Sequence, residues 1–201
     1  MLISNPWRSL SQSQYPLQVK IFATEFFEKL WLNREMNLTP RSPTESTVIM
    51  TELVLPQHTN ALGTIFGGVV MSWIDIAAAI ASGKHSRSTV VTASIDALHF
   101  IAPIRLGHFV ELKASVNCTG KSSMEIGVRV DSQHPTTGEK FHNVSAYLTF
   151  VALDPAGKPT AVPPLLLTTD TEKRRFKSAA RRRASRIALA EELKKENTPA
   201  E

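Results

Sequence analysis

One cysteine, Cys118, is the only thiol in this chain of 201 residues. A lone cysteine builds no internal disulfide framework and offers no cysteine cluster to zinc, and the scarcity fits a reducing, intracellular setting. Long apolar runs are missing too. None approaches the 18 consecutive residues of a membrane helix, and the amino terminus lacks the basic-then-apolar plan of a signal peptide. The histidines, at positions 58, 85, 99, 108, 134 and 142, contain no i, i+4 pair of the zincin kind, so no metal site is expected. A G-x-S-x-G nucleophile elbow is also absent.

Acidic residues are missing from one place in particular. The run "KRRFKSAARRRASR" (residues 173–186) holds eight Lys and Arg and no carboxylate. Residues 170–201 carry ten basic and six acidic side chains, and therefore four of the five net positive charges of the chain. The body is nearly neutral. Such a run reads first as a solvated helix face, with anion binding, by RNA or a phosphorylated ligand, as the alternative. No Tyr or Trp is interleaved to stack bases, which argues against nucleic acid.

What is present divides into three parts. Residues 1–44 form an extension and linker, in which "KIFATEFFEKLWL" has the pattern of a short amphipathic helix and "TPRSPTES" is rich in turn formers. Met36 is a plausible alternative start, and the acids Glu25, Glu28 and Glu35 speak against an organelle transit peptide. Residues 45–160 read as a strand ("TVIMTELVL"), one long helix from about Gly67 to Lys84, and four further strands. "TVVTASIDALHF" is the first of these. "FVELKASVNCT", "SMEIGVRVD" and "VSAYLTFVALD" alternate apolar and polar residues with period two, the mark of strands with one buried face. Residues 161–201 form a basic helical tail. One helix with five antiparallel strands predicts an α+β fold in which the sheet curls around the helix.

That helix poses the functional question. From Val69 to Ala81 it is apolar nearly all round, with Asp75 its only ionisable residue. A helix of this kind has to be covered on all sides. One sheet covers only part of it, so a second subunit is expected. Burying an ionised carboxylate with a partner missing costs about 3–5 kcal/mol, so Asp75 is either paired structurally or used as a base. Ser72, one helical turn before it, is the nearby candidate hydrogen-bond donor. Upstream, "TNALGTIFGG" sets Gly63, Gly67 and Gly68 around a turn that opens into the helix. The unpaired first amides of a helix, backed by its dipole, suit a carbonyl oxygen gaining negative charge. No Lys-Ser/Thr pair follows Gly67 and Gly68, so this is not a P-loop.

The blocks "LVLPQHTNALGTIFGGVVMSWIDIAAAIAS", "VVTASIDALHFIAPIRLGHFVEL", "GKSSMEIGVRV" and "SAYLTFVALDPAGKP" resemble, in order, the hotdog-fold acyl-CoA thioesterases. The similarity spans residues 47–159 and centres on an Asn-x-x-Gly-x-x-aromatic-Gly-Gly loop. It implies hydrolysis of acyl-CoA thioesters without a cofactor, coenzyme A being part of the substrate and product. It also implies a catalytic pair of Asn60 and Asp75, shared across a homodimer so that Asn60 of one subunit faces Asp75 of the other. A trimer of such dimers and a cytoplasmic location are the further expectations. On this reading Asp75 takes a proton from water, or attacks directly as a nucleophile. Asn60 orients water or carbonyl, and the amides of Gly67 and Gly68, with Thr64 beside them, bind the oxyanion and substrate. Lys121, Ser122 and Ser123 are expected to meet coenzyme A phosphates. His58 is the one histidine close enough in sequence to touch substrate.

Two other readings compete. A hotdog hydratase would carry a D-x-N-P-x-H loop, which the sequence lacks. A non-catalytic acyl-CoA sensor or scaffold on the same fold is the alternative outside catalysis. A binding module has no need of both Asn60 and Asp75.

Overall fold

A computed structural model describes residues 38–96 and 98–196; the expected helix at residues 20–32 lies outside them. The elements are α1 (Pro43–Ser46), β1 (Val48–Leu53), α2 (Gly67–Ser86), β2 (Thr89–Ile95), β3 (Phe109–Thr119), β4 (Ser123–Gln133), β5 (Lys140–Leu153) and α3 (Asp170–Glu196). The strands pair antiparallel in the order β1-β3-β4-β5-β2. Among the described residues no helix is long and apolar enough to cross a membrane.

Period-two alternation becomes a two-faced sheet. Val110, Leu112, Ala114 and Val116 of β3, Met124, Ile126, Val128 and Val130 of β4, and Val144, Ala146, Leu148 and Phe150 of β5 are all at most 2% exposed. They form the inner face, against which α2 lies. That helix begins after Phe66, whose backbone is extended, and ends at Arg87, which takes the left-handed conformation (φ 51°) and donates its N–H to the Gly83 carbonyl. Lys84 in its last turn suits the negative end of the dipole. Val70, Ile74, Ala77, Ala78 and Ala81 are wholly buried. The three alanines let helix and sheet approach closely, and each buried Val or Ile contributes roughly 1.5–3 kcal/mol. Met71, Ile76 and Ile80, on the side the sheet does not reach, are 40–46% exposed.

A strap holds the far end of α2. Arg41 donates to the His85 carbonyl (2.6 Å), and the buried His85 ring pairs through Nε2 with the Pro163 carbonyl (2.9 Å). Backbone bonds between Arg41 and both Pro164 and Leu166 complete it. Burial pushes the His85 pKa below 6.5.

The basic run is not simply a solvated face. Arg182 and Arg186 turn inward to the outer face of the sheet, the other six basic residues being left on the outside or at its margin. Arg182 binds the buried Glu125 (2.6 Å) and stacks on the Tyr147 ring (3.6 Å). Arg186 binds Asp96 at 2.8 Å. Asp96 also donates its N–H to the Tyr147 carbonyl, and β2 ends just before it, at Ile95 rather than running on to Phe100. Ala179 of α3 is wholly buried. At its start, Glu172 accepts hydrogen bonds from the backbone of Thr168 and Thr169, and these bonds hold its pKa below the ordinary carboxylate value.

Two outcomes follow from these contacts. Glu125→Gln removes the charge that anchors α3 and lowers stability by about 2 kcal/mol, read as a fall in urea midpoint together with faster proteolysis within residues 170–196. For His85, the unfolded chain binds a proton below pH 6.5 that the folded protein resists. Stability contributed by the neutral ring is therefore complete above about pH 6.5 and declines on further acidification. Urea midpoints taken between pH 7 and pH 5 should fall, and His85→Gln should flatten that slope.

Candidate active site

The loop before α2 is built around Asn60. Its Oδ1 accepts from the backbone of Leu62 (2.9 Å) and Thr64 (3.3 Å), and its side-chain amide donates to Thr64 Oγ1 (3.0 Å). Backbone bonds from Asn60 to the Thr64 carbonyl and from Gly63 to the Asn60 carbonyl close the turn. Gly63 sits at φ +69°, where a side chain would be strained. Thr64 thus holds Asn60. Asn60 itself remains exposed. The His58 ring accepts the Leu55 amide and packs edge-on against Trp73, with centroids 5.2 Å apart.

The loop delivers the chain to Gly67 and Gly68 at the start of α2, which has no side-chain cap. Their amides are the first of the helix and have no carbonyl one turn back to bond. Gly68 has a steric reason as well, since an added Cβ would stand 2.5 Å from the Phe66 ring.

Asp75 is half-buried, and its Oδ1 accepts a 2.7 Å hydrogen bond from the Thr92 hydroxyl. Thr92, not the exposed Ser72, is the partner. In register Thr92 stands opposite Phe150, whose ring is buried beneath α2, so its side chain turns to the helix side of the sheet. A register shift between Thr92 and Ser94 interrupts β2 next to it. Sequence reading missed Thr92 because the strand pairing that sets it against α2 is invisible there; its place in a β-branched strand gave no hint of a polar contact.

Lys121 and Ser122 lie in the β3–β4 turn, and Ser123 opens β4. The turn is fixed by hydrogen bonds from Ala152 and Val162 to the Ser122 and Lys121 carbonyls. The Arg183 guanidinium lies against Gly120 at the same place. Thr92 pairs with Phe150, and Phe150 with Met124, so the turn begins about two strand spacings, roughly 10 Å, from the threonine that holds Asp75.

Within one chain the predicted residues fall into four places: Asn60 with Thr64, Gly67 with Gly68, Asp75 with the unpredicted Thr92, and the Lys121–Ser123 segment. Asp75 lies eight residues beyond Gly67, about 12 Å along the helix axis. One carbonyl group does not reach both.

The sequence profile of the thioesterase superfamily matches residues 62–139. The chain is 44% identical over 128 residues to the uncharacterized acyl-CoA thioester hydrolase YkhA of Bacillus subtilis, covering 64% of this chain and 74% of that one. The chain belongs to the thioesterase superfamily. It is also 33% identical over 159 residues to the cytosolic acyl coenzyme A thioester hydrolase of Rattus norvegicus, of which it spans 42% while 76% of this chain is covered. Among solved structures, an apo-hexameric acyl-CoA thioesterase superposes with a TM-score of 0.73 at 43% identity, covering 76% of this chain and 97% of that one. The fold is the hotdog. An acyl-CoA hydrolase of Staphylococcus aureus, solved with an aspartate replaced by alanine, gives 0.73 at 38% identity over 78% of this chain and 96% of that one. The same hydrolase was solved with an asparagine and with a threonine replaced by alanine, and in complex with butyryl coenzyme A. Its substituted aspartate lies 15 residues after that asparagine and 17 before that threonine. Asn60, Asp75 and Thr92 have the same spacing.

Proposed function

We infer that this thioesterase-superfamily protein hydrolyses acyl-CoA thioesters to free fatty acid and coenzyme A. The observation that carries the catalytic assignment is the carboxylate of Asp75, held at one oxygen by Thr92 on a helix that opens with the uncapped amides of Gly67 and Gly68. Among the described residues Oδ2 of Asp75 has no hydrogen-bond partner, and this is the atom that takes a proton from the attacking water. Thr92 fixes the carboxylate rotamer. The amides of Gly67 and Gly68 receive the oxyanion of the tetrahedral intermediate, Asn60 orients water or carbonyl, and coenzyme A leaves as its thiolate. No step requires a cofactor.

The 12 Å between helix start and base supports a site shared by two copies, with Asn60, Gly67 and Gly68 of one serving Asp75 and Thr92 of the other. Met71, Ile76 and Ile80 of α2, with Val91 and Ile95 of the edge strand β2, are exposed apolar residues suited to that contact. Hexameric structural relatives favour a trimer of such dimers. The Lys121–Ser122–Ser123 turn, with Arg183 beside it, supplies cation and hydroxyls for coenzyme A phosphates. Residues 45–160 are the catalytic body, residues 1–44 an extension, and residues 161–201 the helix docked onto the body. A cytoplasmic setting fits the single buried thiol and the cytosolic relative.

Thiol release from acetyl- to palmitoyl-CoA tests the assignment. Asp75→Asn should lower kcat by about a hundredfold or more. Thr92→Ala should lower kcat by roughly tenfold, the worth of one hydrogen bond to a charged group, with KM little changed, and Thr92→Ser should restore most of it. Absence of turnover on every acyl-CoA by a folded protein that still binds the ligand would leave the sensor reading instead. Shared sites have their own test: mixing and refolding Asn60→Ala with Asp75→Asn should regain activity that neither has alone, because half the sites of a mixed dimer pair the two intact residues. Sites contained within one subunit would stay dead.

A further inference from the structure

Outside the site just described, the outer face of the sheet carries a second arrangement of polar side chains. His142 Nδ1 meets Asp131 Oδ1 at 2.9 Å, and His142 Nε2 meets Ser145 Oγ at 3.0 Å. The far oxygen of Asp131 accepts from Arg129 Nε at 2.7 Å. With both carboxylate oxygens occupied, Asp131 stays ionised: burial raises its pKa, and the bonds from Arg129 and His142 more than offset this, leaving it below its ordinary value. An ionised Asp131 accepts a hydrogen bond from Nδ1–H of His142, and in that tautomer Nε2 is the acceptor to which the Ser145 hydroxyl donates.

This geometry depends on a bulge. In a regular strand residues three apart point to opposite faces, and His142 and Ser145 would not meet. Strand β5 shifts register here: Val144 pairs with Val130, whereas His142 pairs with Asp131. The extra residue, Asn143, is wholly buried and donates to the Ala102 carbonyl. The shift puts His142 on the same outer face as Ser145. Bulges concentrate where a strand re-aims a side chain next to a functional site.

The surroundings carry positive charge. Lys113, Arg129 and Ser145 are successive partners in one cross-strand row, so two cations flank the hydroxyl side of the relay. Ser145 is exposed at the wall of a cleft of about 460 Å³, and Arg174 and Arg175 of α3 line the same cleft. On the other side, Glu111 and Lys140 border His142 and Asp131; Glu111 is itself paired with Lys113.

We propose that Ser145 is a second nucleophilic centre, activated by His142 and Asp131, which accepts an acyl group from activated esters that carry an anionic substituent. Ser145 Oγ forms the new C–O bond while the ester C–O bond to the leaving group breaks. The Oγ proton passes to His142 Nε2 and from there to the departing oxygen. Lys113 and Arg129 hold the anionic substituent and offset the charge on the tetrahedral intermediate. The centre is independent of Asp75, and its product is an acyl-serine.

The test incubates the full-length protein with 4-nitrophenyl acetate and, separately, with the mono-4-nitrophenyl ester of succinic acid, and maps adducts by peptide mass spectrometry. Acylation of Ser145 is expected, faster with the succinate ester and slowed about a hundredfold in His142→Ala. Raising the salt concentration should narrow the difference between the two esters. A folded protein with no adduct on Ser145, or one whose Ser145 reacts as fast in His142→Ala as in the wild type, overturns the proposal. So does an equal rate with both esters at low salt, for the anionic preference. Because the readout is the adduct at Ser145, it stands or falls separately from acyl-CoA turnover.

Discussion

Burial of α2 is the constraint on which the rest of the structure depends. A 20-residue helix carrying Val70, Ile74, Ala77, Ala78 and Ala81 on one side and Met71, Ile76 and Ile80 on another has no face that water covers cheaply. The inner surface of five strands takes the first side. Its residues alternate so that every second side chain meets the helix, and the alanines of the helix bring the two layers close. The second side is left open by the single chain. The same open side carries the polar pair of Asp75 and Thr92, so the burial problem and the candidate site share one surface.

The site therefore grows out of features that fold the protein. Gly67 and Gly68 begin the helix without a cap, which leaves amides pointing out of its positive end. Asp75 lies two turns further on. Its hydroxyl partner comes from the edge strand, where the register set by Phe150 turns Thr92 towards the helix. Asn60 is locked by Thr64 within a turn that Gly63 permits. Asn60 and Asp75 are each held by a side-chain hydrogen bond, and Gly63 by its positive φ, an arrangement suited to the preorganised site proposed above.

Charge is used on the opposite face of the sheet in another way. Glu125 and Asp96 draw Arg182 and Arg186 of α3 onto the sheet, while Arg183 lies against the β3–β4 turn and Arg174 and Arg175 line the cleft beside Ser145. A run of like charges that would repel in solution is thus partly neutralised by carboxylates distant in sequence, and α3 becomes a wall of the cleft beside Ser145. The Asp131–His142–Ser145 relay lies on this same face and owes its alignment to one inserted residue, Asn143.

The sequence by itself determined the α+β class, the limits of β3 and the start of α2, because period-two and all-round apolar patterns are local and each strand or helix has to satisfy them wherever it packs. It also singled out Asp75, Gly67 and Gly68, because a carboxylate in an apolar helix and a glycine turn before it are anomalies visible without coordinates, while Asn60 was named through the family resemblance of the same loop. Only the tertiary structure decided that Thr92 rather than Ser72 holds Asp75, that Arg182 and Arg186 face inward, and that His142 reaches Ser145. Each of these depends on which strands lie side by side and in what register, and register is fixed by contacts between residues 17 to 90 positions apart or by a single-residue bulge. Side-chain type and local spacing carry no record of such pairings.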